Sequence, residues 1–300
     1  LVAISLVWGM ASLQAQTDPV NPKNLPVYDH ANIFEPFSTP GHIINDAAWF
    51  VLWVCAAIFV VVTALIVYAT VKFRSRTGDD KSEPPQVYGS TQIELAWTVV
   101  PILITVVLIL VTSRTIGEVQ NAVMPENAVQ VRVVGRQWWW EVHYPQYGII
   151  TANEIHVPVS SKTANRPTSF ELQSADVIHS FWIPQLNGKT DLIPNRTNYT
   201  WMDPTRVGIY LGNCAEYCGT QHANMKLRVI VQEEADFNAW VESQKRPAAD
   251  KTDDPAIVQG KADFASLSCV NCHAIGGVQP VGTVGIYGPD LTHFASRQTL

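Results

Sequence analysis

The stretch Gly212–Leu227, "GNCAEYCGTQHANMKL", sets Cys214, Cys218, His222 and Met225 close together. Packing does not call for such a set. Soft thiolate and thioether donors beside imidazole select copper or zinc. A blue-copper site takes one Cys, two His and a weak Met, so one thiol here is surplus to it. Two thiolates can instead bridge two metal ions, each ion then taking one imidazole. The second imidazole has to come from elsewhere, and "SADVIHSFWIP" offers His179 between strand-like runs. The alternative is a Cys214–Cys218 disulfide, the usual fate of paired cysteines in an exported segment. It would close a very small loop and leave His222 and Met225 without a purpose.

The chain around this loop has 300 residues and a net charge of −6, with no Lys/Arg cluster, which argues against a nucleic-acid partner. Only 15% of residues are charged, against about 25% in a typical soluble domain. The deficit lies in two runs, Ala47–Val71 with 25 uncharged residues and Leu95–Ser113 with 19. Both are long enough to cross the ~30 Å hydrocarbon layer as helices, and Pro101 is tolerated there. A buried helical hairpin is the alternative. We read residues 47–71 and 95–113 as membrane helices in contact with lipid. The connecting loop, 72–94, carries Lys72, Arg74, Arg76 and Lys81, whereas the segment 16–46 offers only Lys23. By the positive-inside rule the loop is cytoplasmic and both flanks lie outside the cell membrane. Residues 1–15 read as the remnant of a signal peptide, with "LQA" before Gln16, rather than as a short anchor.

From residue 115 the texture changes. "VQVRVVG" alternates, "TSFELQSA" and "KLRVIVQ" read as strands, and "DPTRVG" marks a turn. We expect an all-β sandwich to about Glu234, within a domain spanning 115–242. The charged, Pro-containing run 243–256 reads as a linker. Residues 257–300 follow, with a short helix leading into a second cysteine motif. Cys55, inside the first apolar run, is a small core-type residue.

"SADVIHSFWIPQL" together with "GNCAEYCGTQHANM" closely resembles the binuclear copper site of cytochrome c oxidase subunit II. The resemblance spans roughly residues 40–235 and implies two membrane helices followed by a cupredoxin-like Greek-key sandwich. It implies copper ligands His179, Cys214, Cys218, His222, Met225 and the Glu216 main-chain carbonyl. It also implies a magnesium ion on the Glu216 carboxylate, shared with oxidase subunit I. "GRQWWWEVHYP" resembles the family's aromatic segment, with Trp138 in the place through which electrons arrive; Trp139 and Trp140 are weaker candidates, and a Trp-rich strand at the membrane interface is the alternative. "IELAWTVVP" resembles the start of the family's second helix. Glu94 then matches a carboxylate at the mouth of a proton pathway in subunit I, although a carboxylate near a helix N-terminus is favourable in any case.

"SCVNCHAIGG" contains Cys269-x-x-Cys272-His273, the pattern of c-type haem attachment, with His273 placed to bind iron. Zinc or a redox dithiol would be the alternatives. "YGPDLTHFASR" is similar to class I cytochrome c domains, so 257–300 is expected to be an incomplete, α-helical domain of that class. A copper domain fused to cytochrome c resembles subunit II of the caa-type oxidases. No methionine follows Cys272, and His293 is a poor substitute as distal ligand. The expectation is therefore a chain that continues past Leu300 and supplies a Met.

The resemblance implies a respiratory electron-transfer subunit of a proton-pumping oxidase. Its partners would be subunit I, subunit III and cytochrome c or another periplasmic donor. Rival readings are a quinol oxidase subunit, expected to lack the copper ligands, a nitrous-oxide reductase, expected to carry a large further domain, and a disulfide-stabilised receptor.

Overall fold

The computed structural model describes residues 25–28, 32–74, 83, 86, 88–160, 165–247, 254–276 and 287–298. The expected signal segment 1–15, the loop cations Arg76 and Lys81, and the middle of the 243–256 linker lie outside them.

Two helices come first: α1 (Thr39–Lys72) and α2 (Thr91–Gln120). At ~1.5 Å per residue they are roughly 50 and 45 Å long. Their apolar stretches have mean hydropathies of 3.0 and 2.6 and are not buried within the chain. Trp53, Phe59 and Leu65 stand exposed along α1, as lipid-facing residues do. Both helices outrun the apolar runs. α1 starts before Asp46, and α2 continues past Arg114, which pairs with Glu118 one turn on at 2.7 Å. A charge marks the edge of the hydrocarbon, but it does not end a helix.

The overhanging ends grip the β-domain. Gly41 and Asn45 of α1 are buried there. A Cβ on Gly41 would lie 3.0 Å from Pro36 and 3.2 Å from the Gln185 carbonyl, so only glycine allows this approach. The Thr39 N–H and hydroxyl donate to the Asp203 carboxylate at 2.6 and 2.5 Å, placing an anion at the helix N-terminus, where the dipole favours it. Ser38 donates to the Leu186 carbonyl. On α2, the Val119 carbonyl accepts from the Trp201 indole at 2.7 Å.

The β-domain is a sandwich. One sheet runs β4 (Ile149–Ala152), β3 (Trp139–Tyr144), β2 (Val129–Arg136), β6 (Thr168–Ser174), β9 (Asn198–Met202). The other runs β5 (Glu154–Pro158), β11 (Lys226–Gln232), β10 (Gly208–Cys214), β7 (His179–Trp182), β8 (Thr190–Leu192), with β1 (Val27–Tyr28) also pairing β10. Alternation orients the strands. In β2, Val129, Val131, Val133 and Gly135 face inward while Gln130, Arg132 and Arg136 face out. Trp140, Tyr144, Phe170, Leu172, Phe181 and Val229 complete the core, each such side chain contributing about 1.5–3 kcal/mol by burial.

β5 lies at a sheet edge yet is buried throughout. The helix α3 (Glu234–Gln244) helps cover it. Phe237 and Val241 enter the core, and Trp240 stacks on His156 with ring centroids 4.2 Å apart. After it, α4 (Pro255–Ser266) is capped by Asp254, which accepts from the Ala256 N–H at 2.9 Å.

Candidate metal centre

Register brings the candidate ligands together. β10 pairs antiparallel with β7, with Cys214 opposite Phe181, so His179, at the start of β7, comes beside the end of β10. The loop after Cys214 then folds back on itself. Cys214 N–H donates to the Met225 carbonyl at 3.0 Å and Ala215 N–H to the Ser180 carbonyl at 2.9 Å. A 3-10 turn, His222–Asn224, aims His222 inward.

The result is a compact group of donor atoms. The two sulfurs are free thiols 3.8 Å apart, well beyond the ~2.05 Å of a disulfide. His179 Nδ1 lies 3.9 Å from Cys214 Sγ, and His222 Nδ1 lies 3.7 Å from Cys218 Sγ. Met225 Sδ is 3.8 Å from Cys218 Sγ, and the Glu216 carbonyl is 3.2 Å from Cys214 Sγ. His179, Cys214, Cys218 and Met225 are buried, His222 is half-buried and the Glu216 side chain is exposed.

The electrostatics of this group favour a cation. Burial raises the Cys214 thiol, but hydrogen bonding to His179 and to the main chain outweighs it and brings the pKa to about 6. Burial and the adjacent Cys214 charge push Cys218 up to about 12. Two thiolates this close repel each other, and a metal cation between them would remove that penalty. The donor set, two soft sulfurs with one imidazole each, fits copper.

A neighbouring segment braces the site. His179 Nε2 meets Asp176 Oδ1 at 2.8 Å, which turns Nδ1 toward the thiols, the usual arrangement behind a metal-bound histidine. Burial lowers the His179 pKa, but Cys214 and Asp176 together raise it. The other Asp176 oxygen accepts from Gln137 N–H at 2.6 Å. The Gln137 side chain and the Trp138 indole both donate to the Cys218 carbonyl, at 2.9 and 3.0 Å. Gly219 sits at φ +116°, and a Cβ there would lie 3.1–3.2 Å from Trp138 and Gln137. Trp138 is half-buried and reaches from the surface to the site. Trp140 is fully buried and lies edge-on to His179, and Trp139 stacks under Arg136. Gln137 and Asp176 were not singled out from the sequence; the nearest signals were their places beside Trp138 and three residues before His179.

The remaining candidates lie elsewhere. Glu94 is in the first turn of α2, at the end away from the sandwich. Cys269 and Cys272 are exposed on and just after a 3-10 turn, Ser268–Asn271. His273 Nδ1 is 2.9 Å from the Pro289 carbonyl, and Gly288 packs so tightly on the ring that a Cβ would lie 2.5 Å from Cε1.

Known proteins share this order of helices and sandwich. The family descriptions "Cytochrome C oxidase subunit II, transmembrane domain" and "Cytochrome C oxidase subunit II, periplasmic domain" match residues 34–116 and 151–233. Cytochrome c oxidase subunit 2 of Alkalihalophilus pseudofirmus is 34% identical over 276 residues, 91% of this chain and 77% of that protein. Its counterpart in Bacillus sp. (strain PS3) is 33% identical over 76% of this chain and 66% of that protein. Quinol oxidase subunit 2 of Bacillus subtilis is 32% identical over 73% of this chain and 64% of that protein. Two apolar helices and the two matched domains describe an inner-membrane protein with its sandwich on the periplasmic side. With both domains matched and a relative 34% identical over 91% of this chain and 77% of its own length, the chain belongs to the cytochrome c oxidase subunit II family.

Proposed function

We propose that this chain takes up electrons for a terminal oxidase through a binuclear copper centre held by His179, Cys214, Cys218, His222, Met225 and the Glu216 carbonyl. One observation carries the reading: two free thiols 3.8 Å apart, each with an imidazole Nδ1 within 4 Å. Copper held by these residues would supply one-electron redox chemistry. The chain's own part is to hold the donors in place and keep water out, with Trp138 as the contact between surface and site. A subunit fed by quinol has no use for paired thiolates, so Cys214 and Cys218 favour copper over the quinol oxidase alternative. Metal analysis and EPR test this. About two copper ions per chain and a spectrum of one electron shared by both support it. A copper-free chain with a Cys214–Cys218 disulfide overturns it.

The same reading extends to the C-terminal motif, with haem c bound through Cys269 and Cys272 and His273 as iron ligand. Exposed thiols at the spacing of haem attachment and the His273–Pro289 hydrogen bond, of the kind that orients a metal-binding imidazole, support it. Haem c there would supply a second one-electron carrier in the same chain. An absorption spectrum of the purified chain tests it, and a chain without haem c bands refutes it. The exposed Glu216 carboxylate is proposed to share magnesium with subunit I, and Glu94 to stand at a proton-pathway mouth in that subunit. Oxygen reduction and proton pumping would then take place in subunit I. Subunit III and a periplasmic cytochrome c complete the proposed partners.

A further inference from the structure

The metal donors come from two pieces of chain, His179 on β7 and the Cys214–Met225 loop after β10. The segment Gly135–Trp138, the end of β2 and its turn into β3, touches both. Its first residue abuts the His179 ring, where a Cβ on Gly135 would come within 2.7 Å. Its third, Gln137, binds in two directions. The main-chain N–H holds Asp176, which holds His179. The side-chain amide holds the Cys218 carbonyl, where it meets the Trp138 indole. A carbonyl has two lone pairs, and here both find a donor.

We propose that Gln137 is a positioning residue that locks the Trp138 indole onto the Cys218 carbonyl and ties that contact to the His179 side of the metal centre. This rests on the copper reading above. The indole is one hydrogen bond, 3.0 Å long, from the main chain of Cys218, and a second donor fixes the same carbonyl at 2.9 Å. Gly219 makes room for the pair. Without the Gln137 amide, the carbonyl keeps the indole alone and water takes the second lone pair. The loop and the indole then move separately. No metal is needed to form this contact, since the hydrogen bonds are made within the chain.

Three substitutions test the proposal in the full chain. Q137M keeps the length and removes the donor, Q137E is isosteric and puts an acceptor where the donor was, and Q137K restores a donor. One readout needs no metal, namely amide hydrogen exchange of the peptide spanning Cys218–His222 in metal-free protein. The other is the rate at which the loaded chain is reduced by hexaammineruthenium(II), measured together with copper content and EPR spectrum. We expect exchange to rise and reduction to slow by about two- to tenfold in Q137M and Q137E, as the loss of one hydrogen bond gives. Copper content stays at the parent level, and Q137K falls between parent and Q137M. Parent-like exchange and reduction in both Q137M and Q137E overturn the proposal, as does a Q137K no better than Q137M, which would mean that bulk and not donation matters. A parent chain lacking the shared-copper spectrum overturns the metal reading and this proposal together; a parent that has it beside unaffected variants overturns this proposal alone.

Discussion

Gly135→Ala should weaken copper binding although Gly135 donates nothing to the metal. The position is an ordinary strand residue on β2, opposite Trp140 and beside Ser174, so alanine brings no backbone strain. The difficulty is space. The new Cβ would lie 2.7 Å from His179 Cδ2, 3.0 Å from Cγ and 3.3 Å from Cβ. Ordinary carbon contacts are about 3.5–4.0 Å, so the ring must retreat by roughly 0.8 Å or the strand must bend. The ring has nowhere to go, being fully buried and tied at Nε2 to Asp176. Metal–ligand distances tolerate only about 0.2 Å. We therefore expect copper affinity to fall about ten- to a hundredfold, the range seen when support behind a ligand is lost, and stability to fall by about 1–3 kcal/mol from overpacking. Copper titration of the metal-free chain against a competing chelator reads the first quantity and thermal unfolding the second. Gly260→Ala is the control, because nothing lies within 4 Å of its Cβ position on α4. A Gly135→Ala chain with parent affinity and an unchanged EPR spectrum would show that the close packing behind His179 does not set the site.

Trp138→Phe removes the indole donor to the Cys218 carbonyl while keeping an aromatic ring. Electron uptake should slow with copper content unchanged, and parent-like stopped-flow reduction would count against the role of Trp138. Gly288→Ala should displace His273, whose Cε1 would face the new methyl at 2.5 Å; haem would still attach, but its absorption bands should shift to those of altered iron ligation, and parent bands would refute this. His156 makes stability pH-dependent. Burial holds its pKa down to about 4, against about 6.5 in the unfolded chain, so stability is complete above 6.5 and falls as pH drops through this window, by about 3 kcal/mol in all. His156→Phe should keep the stacking on Trp240 and flatten thermal unfolding between pH 6.5 and 4; an unchanged slope would place the pH dependence elsewhere.

How far the sequence discloses this site depends on the range of each interaction. Cys214, Cys218, His222 and Met225 are legible because they crowd one loop, and chemistry alone makes such crowding conspicuous. His179 is legible only as a histidine in a strand-like run, since its place beside Cys214 comes from the pairing of β7 with β10. The Gly135–Trp138 brace is hidden. Its hydrogen bonds run to residues some 40 and 80 positions away, and no local pattern records them. The helix ends are hidden for a different reason. Charge at Asp46 and Arg114 bounds the apolar runs, whereas the sandwich-side helix ends reach on to their contacts with the sandwich at Thr39 and Val119. α3 left a signal that alternation-based reading passes over: Phe237, Trp240 and Val241 at spacings of three and four form a helical stripe.

These overhanging helix ends bear on the metal centre. A sandwich held by one helix could rock about that point, since a single anchor fixes distance but not orientation. Here α1 is anchored through Asp203, Gln185 and Leu186, and α2 through Trp201. Asp203 and Trp201 lie at and beside the end of β9, in the sheet that contains the Gly135 strand, whereas Gln185 and Leu186 follow β7, the strand that carries His179. α1 thus leads into both walls of the site and α2 into one of them. Tilting the sandwich on its helices would shear those walls against each other, and the Asp176–Gln137–Cys218 bonds across them oppose that shear. The helix anchors thus fix the orientation of the sandwich on α1 and α2, and the bonds across its walls keep the donor atoms together within it.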